Sequence, residues 1–284
     1  MIGVITHSEK PAAGKLVLEL IHGLESANLP YLLHKDSARL AGQDSKLDEA
    51  DLAEKCDLLI VMGGDGTILR VVQGISGRLP PIFGINIGTL GFLTCLGAGE
   101  IRRAVESIAA RDFVLSQRTL MRAELQSDKK SGGVLYALND VVVGRGENSQ
   151  LVRVRVSLNG VSLTEYNADG LIVSTPTGST AYSLSAGGPI LMPDSGCFVI
   201  TPICPHVLTN RSVVIGDSSR VEISPAKPGQ SVKITVDARP WAELGKGDTL
   251  LLQKSDRILP LAMLPERPIT EVLRQKLKWT GSNV

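Results

Sequence analysis

The sequence predicts an α/β domain with a parallel sheet, then an all-β, sandwich-like domain, then a short helical tail. Three observations predict this. Up to residue 112, short apolar strands alternate with stretches at helical spacing, the pattern of a parallel sheet with helices on its faces. From residue 113 that spacing gives way to short, often alternating strands between turn signals. Near the end, Val272, Leu273 and Leu277 return to helical spacing. The expected domains are therefore 1–112, 113–262 and 263–284.

The elements follow in order. Residues 2–6 read as a buried first strand. Residues 11–26 read as a helix, with Leu16, Leu20, Ile21 and Leu24 on one face and Pro11 near its start. The Gly14-Lys15 pair is no Walker A loop, which requires Gly in place of Glu9 and Ser or Thr in place of Leu16. Residues 31–34 form a short strand and 47–54 a weak helix. Residues 58–62 and 81–86 are strands, each ending at a glycine-containing turn, and 100–110 are a helix. The β domain takes strands near 121–125, 135–143, 151–158, 171–174, 198–201, 213–215, 221–223, 232–236 and 250–253. Asn159-Gly160, Lys227-Pro228-Gly229 and Gly245-Lys246-Gly247-Asp248 punctuate them.

The totals restrict the function. The chain has 284 residues, 43% hydrophobic and 21% charged, which suits a soluble protein with a substantial core. A net charge of +1 leaves no electrostatic footprint for nucleic acid or for an anionic membrane. No apolar run approaches the ~20 residues of a membrane helix, and the first residues lack the basic region of a signal peptide. Cys56, Cys95, Cys197 and Cys204 form no Cys-x-x-Cys pair and read as small buried thiols. A cytoplasmic protein is expected.

The apolar run 58–62 leads into Gly63-Gly64-Asp65-Gly66-Thr67. A strand, a glycine-rich turn and a helix start bring free amides and the positive end of a helix to one spot, which suits phosphate. Asp65 stands where a phosphate loop normally carries Lys. A carboxylate there either holds a bridging Mg²⁺ or receives the proton of an attacking hydroxyl, and both imply phosphoryl transfer to an alcohol. The plainer alternative is a glycine-rich β-turn with Asp as a local cap.

Gly63 to Thr67 resembles the glycine loop shared by NAD kinases, diacylglycerol and sphingosine kinases and, more distantly, phosphofructokinases. Two further segments resemble NAD kinases alone: Asn86-Ile87-Gly88-Thr89-Leu90-Gly91-Phe92 and Asp169-Gly170-Leu171-Ile172-Val173-Ser174-Thr175-Pro176-Thr177-Gly178-Ser179-Thr180-Ala181-Tyr182. The resemblance spans roughly Met1 to Trp279. It implies a Rossmann-like first sheet, a tail helix that returns to the first domain, and transfer of phosphate from ATP to the 2′-hydroxyl of NAD. It makes Asp65 the catalytic residue. It places Gly66, Arg70, Phe92, Asn139, Asp140, Asn167, Asp169, Thr177, Thr180, Ala181, Tyr182, Ser185 and Arg239 among the nucleotide-binding residues. Mg²⁺ or another divalent cation is expected to ride mainly on the ATP phosphates. A homodimer or homotetramer formed through the β domain is implied, with small nucleotides as partners.

Two positions leave the family pattern. Relatives commonly carry Asn-Glu where this chain has Asn139-Asp140, one methylene shorter. They commonly carry Asp-Gly-Gln where this chain has Asp237-Ala238-Arg239, so Arg239 is either a phosphate contact or surface variation on a turn. A lipid kinase with the same loop is the rival enzyme, needing an acyl pocket and neither of the other two segments. A non-catalytic NAD-binding regulator is the rival of another class, and an intact Asp65 argues against it.

Overall fold

Strand β1 (Ile2–Thr6) is buried along its whole length, as expected of a parallel strand covered on both faces. The structure, a computed structural model, describes residues 1–6, 10, 12–89, 91–127, 132–146, 151–207, 209–227 and 232–279. Pro11, Leu90, Pro228 and Gly229, which figure in the expected helix start, second loop and turn, lie outside them, as does Glu9. The chain divides into two compact units, Met1–Gln117 with Leu259–Val284, and Arg118–Ile258.

In the first unit β1 is followed by α1 (Ala13–Ser26), β2 (Tyr31–Leu33), α2 (Lys35–Leu40), α3 (Glu49–Lys55), β3 (Leu58–Gly63), α4 (Asp65–Gly74), β4 (Ile82–Asn86), β5 (Leu96–Gly97) and α5 (Ile101–Ala110). The strands run parallel in the order β2-β1-β3-β4. β5 pairs with the upper end of β4, Ile85 beside Leu96. α1 buries Leu16, Val17, Leu20, Ile21 and Leu24, the stripe its spacing foretold. The expected helix over 47–54 forms as α3, started by an Asp48–Asp51 capping box. α2 was not expected. It has six residues, too few for a periodic signal, and starts where His34 Nδ1 accepts the Asp36 amide at 3.2 Å.

The second unit is mostly β. It contains most of β6 (Val114–Gln126), then β7 (Val134–Ala137), β8 (Asp140–Arg145), β9 (Val152–Leu158), β10 (Val161–Ala168), β11 (Gly170–Ser174), a short helix α6 (Tyr182–Ser185), β12 (Cys197–Ile203), β13 (Val213–Gly216), β14 (Val221–Pro225), β15 (Val232–Val236), β16 (Arg239–Leu244) and the first part of β17 (Thr249–Met263). One sheet has the antiparallel order β13-β12-β11-β8-β15-β16. In the other, β10-β9-β14-β17 pair antiparallel. Both sheets face one core, with Val141, Val173, Phe198 and Ile234 from the first and Val154, Tyr166, Ile223 and Leu250 from the second, which makes a sandwich. The expected single strand over 135–143 is two strands, β7 and β8, with a corner at Leu138-Asn139.

From Leu259 the chain belongs to the first unit again. Leu261 and Ala262 of β17 pair parallel with Ile82 and Phe83 of β4. α7 (Ile269–Leu277) buries Val272 and Leu273. Before it, Arg267 donates to both oxygens of Glu100 at 3.1 and 2.7 Å and to the Cys95 carbonyl at 3.1 Å, a forked arrangement suited to guanidinium. Two cysteines depart from the expectation of buried thiols: Cys56 and Cys95 are buried, but Cys197 is half-buried and Cys204 exposed. Burial pushes the Cys95 thiol up to about 12.

Gly84 of β4 lets the following segment lie close. A Cβ there would meet the Leu93 carbonyl oxygen at 2.7 Å and the Thr94 Cα at 3.0 Å, and the Cys95 amide donates to the Gly84 carbonyl at 3.0 Å. Backbone cannot rotate aside as a side chain can. Gly84→Ala is expected to cost ~1–3 kcal/mol of unfolding free energy, the usual scale of overpacking. Urea denaturation measures it, and a midpoint equal to that of the parent protein refutes the close approach.

Candidate active site

In the first unit, β3 and β4 lie side by side and both end at loops, Gly63 opposite Asn86. Ligands of parallel α/β sheets gather at such carboxyl ends. The first loop starts α4, with Gly64 as N-cap and Asp65 as the first helical residue. Gly63 is needed because a Cβ would lie 2.2 Å from Thr67 Oγ1. The second loop is folded on itself by Asn86 and Thr94. Asn86 Oδ1 accepts the Gly88 amide at 2.6 Å, Asn86 Nδ2 donates to Thr94 Oγ1 at 3.2 Å, and the Gly91 amide donates to the same hydroxyl at 3.1 Å.

That fold aims two amides at Asp65. Phe92 N–H donates to Oδ2 at 2.9 Å and Leu93 N–H to Oδ1 at 3.0 Å. Gly91 makes room, since a Cβ there would sit 1.9 Å from Asp65 Oδ1. Each carboxylate oxygen has two lone pairs, so each can still accept a proton or a hydrogen bond from a ligand. Asp65 is half-buried and Gly66 exposed, so the turn is open to solvent. Phe92 carries the Lys276 ammonium 5.9 Å from its ring centre. Arg70, one turn further along α4, is half-buried, and its Nε is enclosed with no hydrogen-bond partner. Near it the Glu49 carboxyl is held down to about 2, chiefly by the His34 side chain and more weakly by the Arg70 charge, against the opposing effect of burial. His34 Nε2 lies 3.4 Å from Glu49 Oε2.

In the second unit Asn139, Asp140, Thr177 and Thr180 lie around the 138–140 corner and the segment after β11, whereas Asp169 lies at the other end of the β8–β11 pair, where Gly170 is opposite Gly144. Thr175, fully buried, donates its hydroxyl to the Leu138 carbonyl at 2.5 Å and its amide to the Asn139 carbonyl at 2.9 Å. Gly178 packs on the same backbone, where a Cβ would lie 2.1 Å from the Asn139 oxygen. Opposite, the Asp237 carboxylate accepts the amides of Leu138, Asn139 and Asp140 at 2.9, 2.8 and 3.1 Å. Asp140 is 5% exposed. Burial, and after it the Asp237 charge, push its carboxyl up to about 7.

The sequence suggests that Thr177, Gly178, Ser179 and Thr180 offer hydroxyls and amides to a ligand, and the structure corrects part of this. The Ser179 hydroxyl is buried, donating to the Pro176 carbonyl at 2.6 Å and accepting the Leu191 amide at 2.9 Å. The Gly178 amide is bound by Thr175 Oγ1 at 3.1 Å, and Thr180 Oγ1 donates to the Thr177 carbonyl at 3.1 Å. These groups hold the loop together. What remains exposed is Tyr182 and Ser185, with Ala181 half-buried beside them. Asp169 pairs with Arg145, and Asn167, half-buried, accepts the His206 amide on its carbonyl at 3.0 Å. Arg239 is exposed at the start of β16, just past the turn. In the sequence, Asp237 shows only as part of an unusual turn. Its role as a cap leaves no motif, because its partners are main-chain amides.

Residues 2–113 match the ATP-NAD kinase N-terminal domain and residues 138–264 the ATP-NAD kinase C-terminal domain. The chain is 37% identical over 279 residues to the NAD kinase of Syntrophotalea carbinolica, covering 98% of each chain. The chain belongs to the NAD kinase family. It is also 37% identical over 278 residues to the NAD kinase of Geobacter sulfurreducens, again covering 98% of each. Among solved structures, a yeast NADH kinase complexed with NADH superposes with a TM-score of 0.90 at 28% identity, over 100% of this chain and 89% of that one. An NAD kinase from Archaeoglobus fulgidus in complex with ATP shares the fold, with a TM-score of 0.76 at 23% identity, over 99% of this chain and 100% of that one. The protein is thus a phosphotransferase acting between ATP and NAD, and the lipid-kinase and regulator readings fall away.

The contact between Gly91 and Asp65 yields a test. Gly91→Ala places a methyl inside the carboxylate's own contact distance, so the carboxylate must rotate off the two amides. Turnover is expected to fall ~10²-fold, the cost of misplacing a catalytic group by about an ångström, and the melting temperature is expected to fall with it, because two hydrogen bonds to a charged acceptor are lost. Turnover near that of the parent protein shows that the amides do not set the Asp65 geometry.

Proposed function

We propose that the chain transfers the γ-phosphoryl group of ATP to the 2′-hydroxyl of the adenosine ribose of NAD, with Asp65 as proton acceptor. The hydroxyl oxygen bonds to the γ-phosphorus while the bond from that phosphorus to the β–γ bridging oxygen breaks. ADP departs with the electron pair, and the hydroxyl proton passes to the Asp65 carboxylate and then to solvent. The observation that carries this reading is the anchoring of Asp65 by the Phe92 and Leu93 amides at 2.9 and 3.0 Å, at the first turn of a helix. A loose phosphoryl transition state asks for placement and charge neutralisation more than for a strong base, and a carboxylate fixed at two points supplies placement.

The amides of the Gly63–Thr67 turn and the positive end of α4 favour the donor phosphates, with Gly66 and Arg70 beside them. Asn139, Asp140, Asn167, Asp169, Thr177, Thr180, Ala181, Tyr182 and Ser185 are assigned to the dinucleotide, with Phe92. Arg239, exposed and without an ion-pair partner among the described residues, is assigned to a phosphate. Among the described residues no three His, Cys, Asp or Glu side chains converge on one point. A divalent cation is assigned mainly to the triphosphate oxygens, where Mg²⁺ would neutralise charge on the transferring group. Assembly as a homodimer or homotetramer through the second unit is supported by apolar Val161, 71% exposed, and Leu163 on the edge strand β10. The proposed compartment is the cytoplasm. No helix among the described residues is long and apolar enough to cross a membrane.

Purified protein given ATP, Mg²⁺ and NAD is expected to form NADP, read with an NADP-specific dehydrogenase, and parallel reactions with NADH show which redox form is preferred. Asp65→Asn keeps the size of the side chain and removes its proton-accepting charge. It is expected to lower kcat ~10²–10⁴-fold while NAD still binds in a calorimetric titration. Retention of more than half of kcat excludes Asp65 as the acceptor.

Tyr182→Ala is expected to raise the KM for NAD with little change in kcat or in the KM for ATP, the pattern of lost uniform binding. Equal effects on both substrates remove Tyr182, 47% exposed, from the dinucleotide site.

A further inference from the structure

The hairpin between β15 and β16 turns through Asp237 and Ala238, with φ of 47° and 62°. Val236 pairs with Arg239 across it. Two central residues with positive φ make a type I′ turn, which normally selects Asn-Gly. Asp237 is 5% exposed, and its carboxylate accepts three successive amides, Leu138, Asn139 and Asp140, at 2.9, 2.8 and 3.1 Å. Its own amide donates to the Asp140 carbonyl at 3.0 Å. The carbonyls of the same corner are taken from the other side. Leu138 O accepts the Thr175 hydroxyl, and Asn139 O accepts the Thr175 amide and the Ser174 hydroxyl, the last at 3.2 Å. The corner's backbone is therefore bound on both sides. The side chains of Asn139 and Asp140 make no hydrogen bond among the described residues. A corner with a fixed backbone and unengaged polar side chains is built to present them.

We propose that Asp237 is the positioning residue of the nucleotide site, its carboxylate locking the 138–140 corner so that Asn139 and Asp140 meet the dinucleotide. This rests on the assignment of those two residues to the dinucleotide. The same carboxylate acts on Asp140 through space. Burial first, and the Asp237 charge second, hold the Asp140 carboxyl up to about 7. Asp237 is the charged neighbour behind that rise. Across the sheet Asp140 faces the uncharged Ser174 of β11, and its neighbour Val141 faces Val236 of β15. Below pH 7 Asp140 is a neutral acid. Above it, Asp140 is a carboxylate able to accept from both hydroxyls of a ribose. The KM for NAD therefore falls as pH rises through about 7.

The test measures KM for NAD and for ATP, kcat, and melting temperature from pH 5.5 to 8.5 in Asp237→Asn, Asp237→Glu, Asn139→Ala and Asp140→Asn. Asp237→Asn loses hydrogen bonds to a charged acceptor, so KM for NAD is expected to rise roughly ten-fold or more. KM for ATP changes less. With one negative charge gone, the inflection near pH 7 moves to lower pH. Asp237→Glu keeps the charge and displaces the corner, so it raises KM for NAD but leaves the inflection in place, and it serves where the Asn variant fails to fold. The proposal is overturned if a folded Asp237 variant binds NAD as the parent protein does, or if Asp237→Asn leaves the inflection unmoved. Failure of the underlying assignment looks different: Asn139→Ala and Asp140→Asn then leave the KM for NAD unchanged.

Discussion

The hydrogen bonds from the Phe92 and Leu93 amides to the Asp65 carboxylate join segments 27 and 28 residues apart. They tie the start of a helix to the far end of a neighbouring loop. Most of the first unit's unusual sequence follows from that connection. Gly63 gives Thr67 room beneath the turn, Gly91 gives the carboxylate room, and Gly84 brings the returning chain against β4. Asn86 and Thr94 fold the second loop so that its amides face inward. The parallel pairing of β3 and β4 sets the distance that the carboxylate spans. A negative group at this place also interacts favourably with the positive end of α4, so structural and chemical demands on Asp65 coincide.

The second unit solves a similar problem with the same chemistry. A polar corner between a strand of one sheet and a strand of the other leaves main-chain donors that must find acceptors. Asp237 accepts those amides from one side, and Thr175 donates to the corner's carbonyls from the other. In both units, a carboxylate reaching from a turn orders the backbone of a segment distant in sequence. The hydroxyl-rich loop after β11 works likewise: Thr175, Ser179 and Ser183 are all buried, and their hydrogen bonds stay within the protein.

The architecture was largely legible in the sequence because hydrophobic period is a local signal. The four parallel strands, α1 and α5 read directly, and so did the glycine loop, whose three glycines announce a turn. The missing elements lacked such marks. α2 is too short for periodicity. β16 begins after Asp237-Ala238, a turn that avoids glycine although both residues have positive φ. The exposed side of β10, with Val161, Ser162 and Leu163 all exposed, breaks the alternation that would reveal a strand. Asn139-Asp140 stood out as polar residues in an apolar run, but only the structure shows that they turn a corner. The partners of Asp65 and Asp237 were invisible for one reason: both are main-chain amides, which every residue but proline carries.

The last part of β17 and the segment behind it have a consequence for how the protein comes into being. The first unit's sheet takes Leu261 and Ala262 beside β4, and Arg267 closes on Glu100 and Cys95. Those residues are translated after the whole of the second unit, whose residues 118–258 are contiguous. During synthesis at ~5–20 residues per second, the stretch from Phe83 to Leu261 takes roughly 9–36 s, and for that time the edge of β4 stays unpaired along Ile82 and Phe83. The domain that begins the chain is the one that finishes folding last, and a nascent chain stalled before residue 259 exposes an open parallel edge to whatever chaperone or neighbouring chain reaches it first.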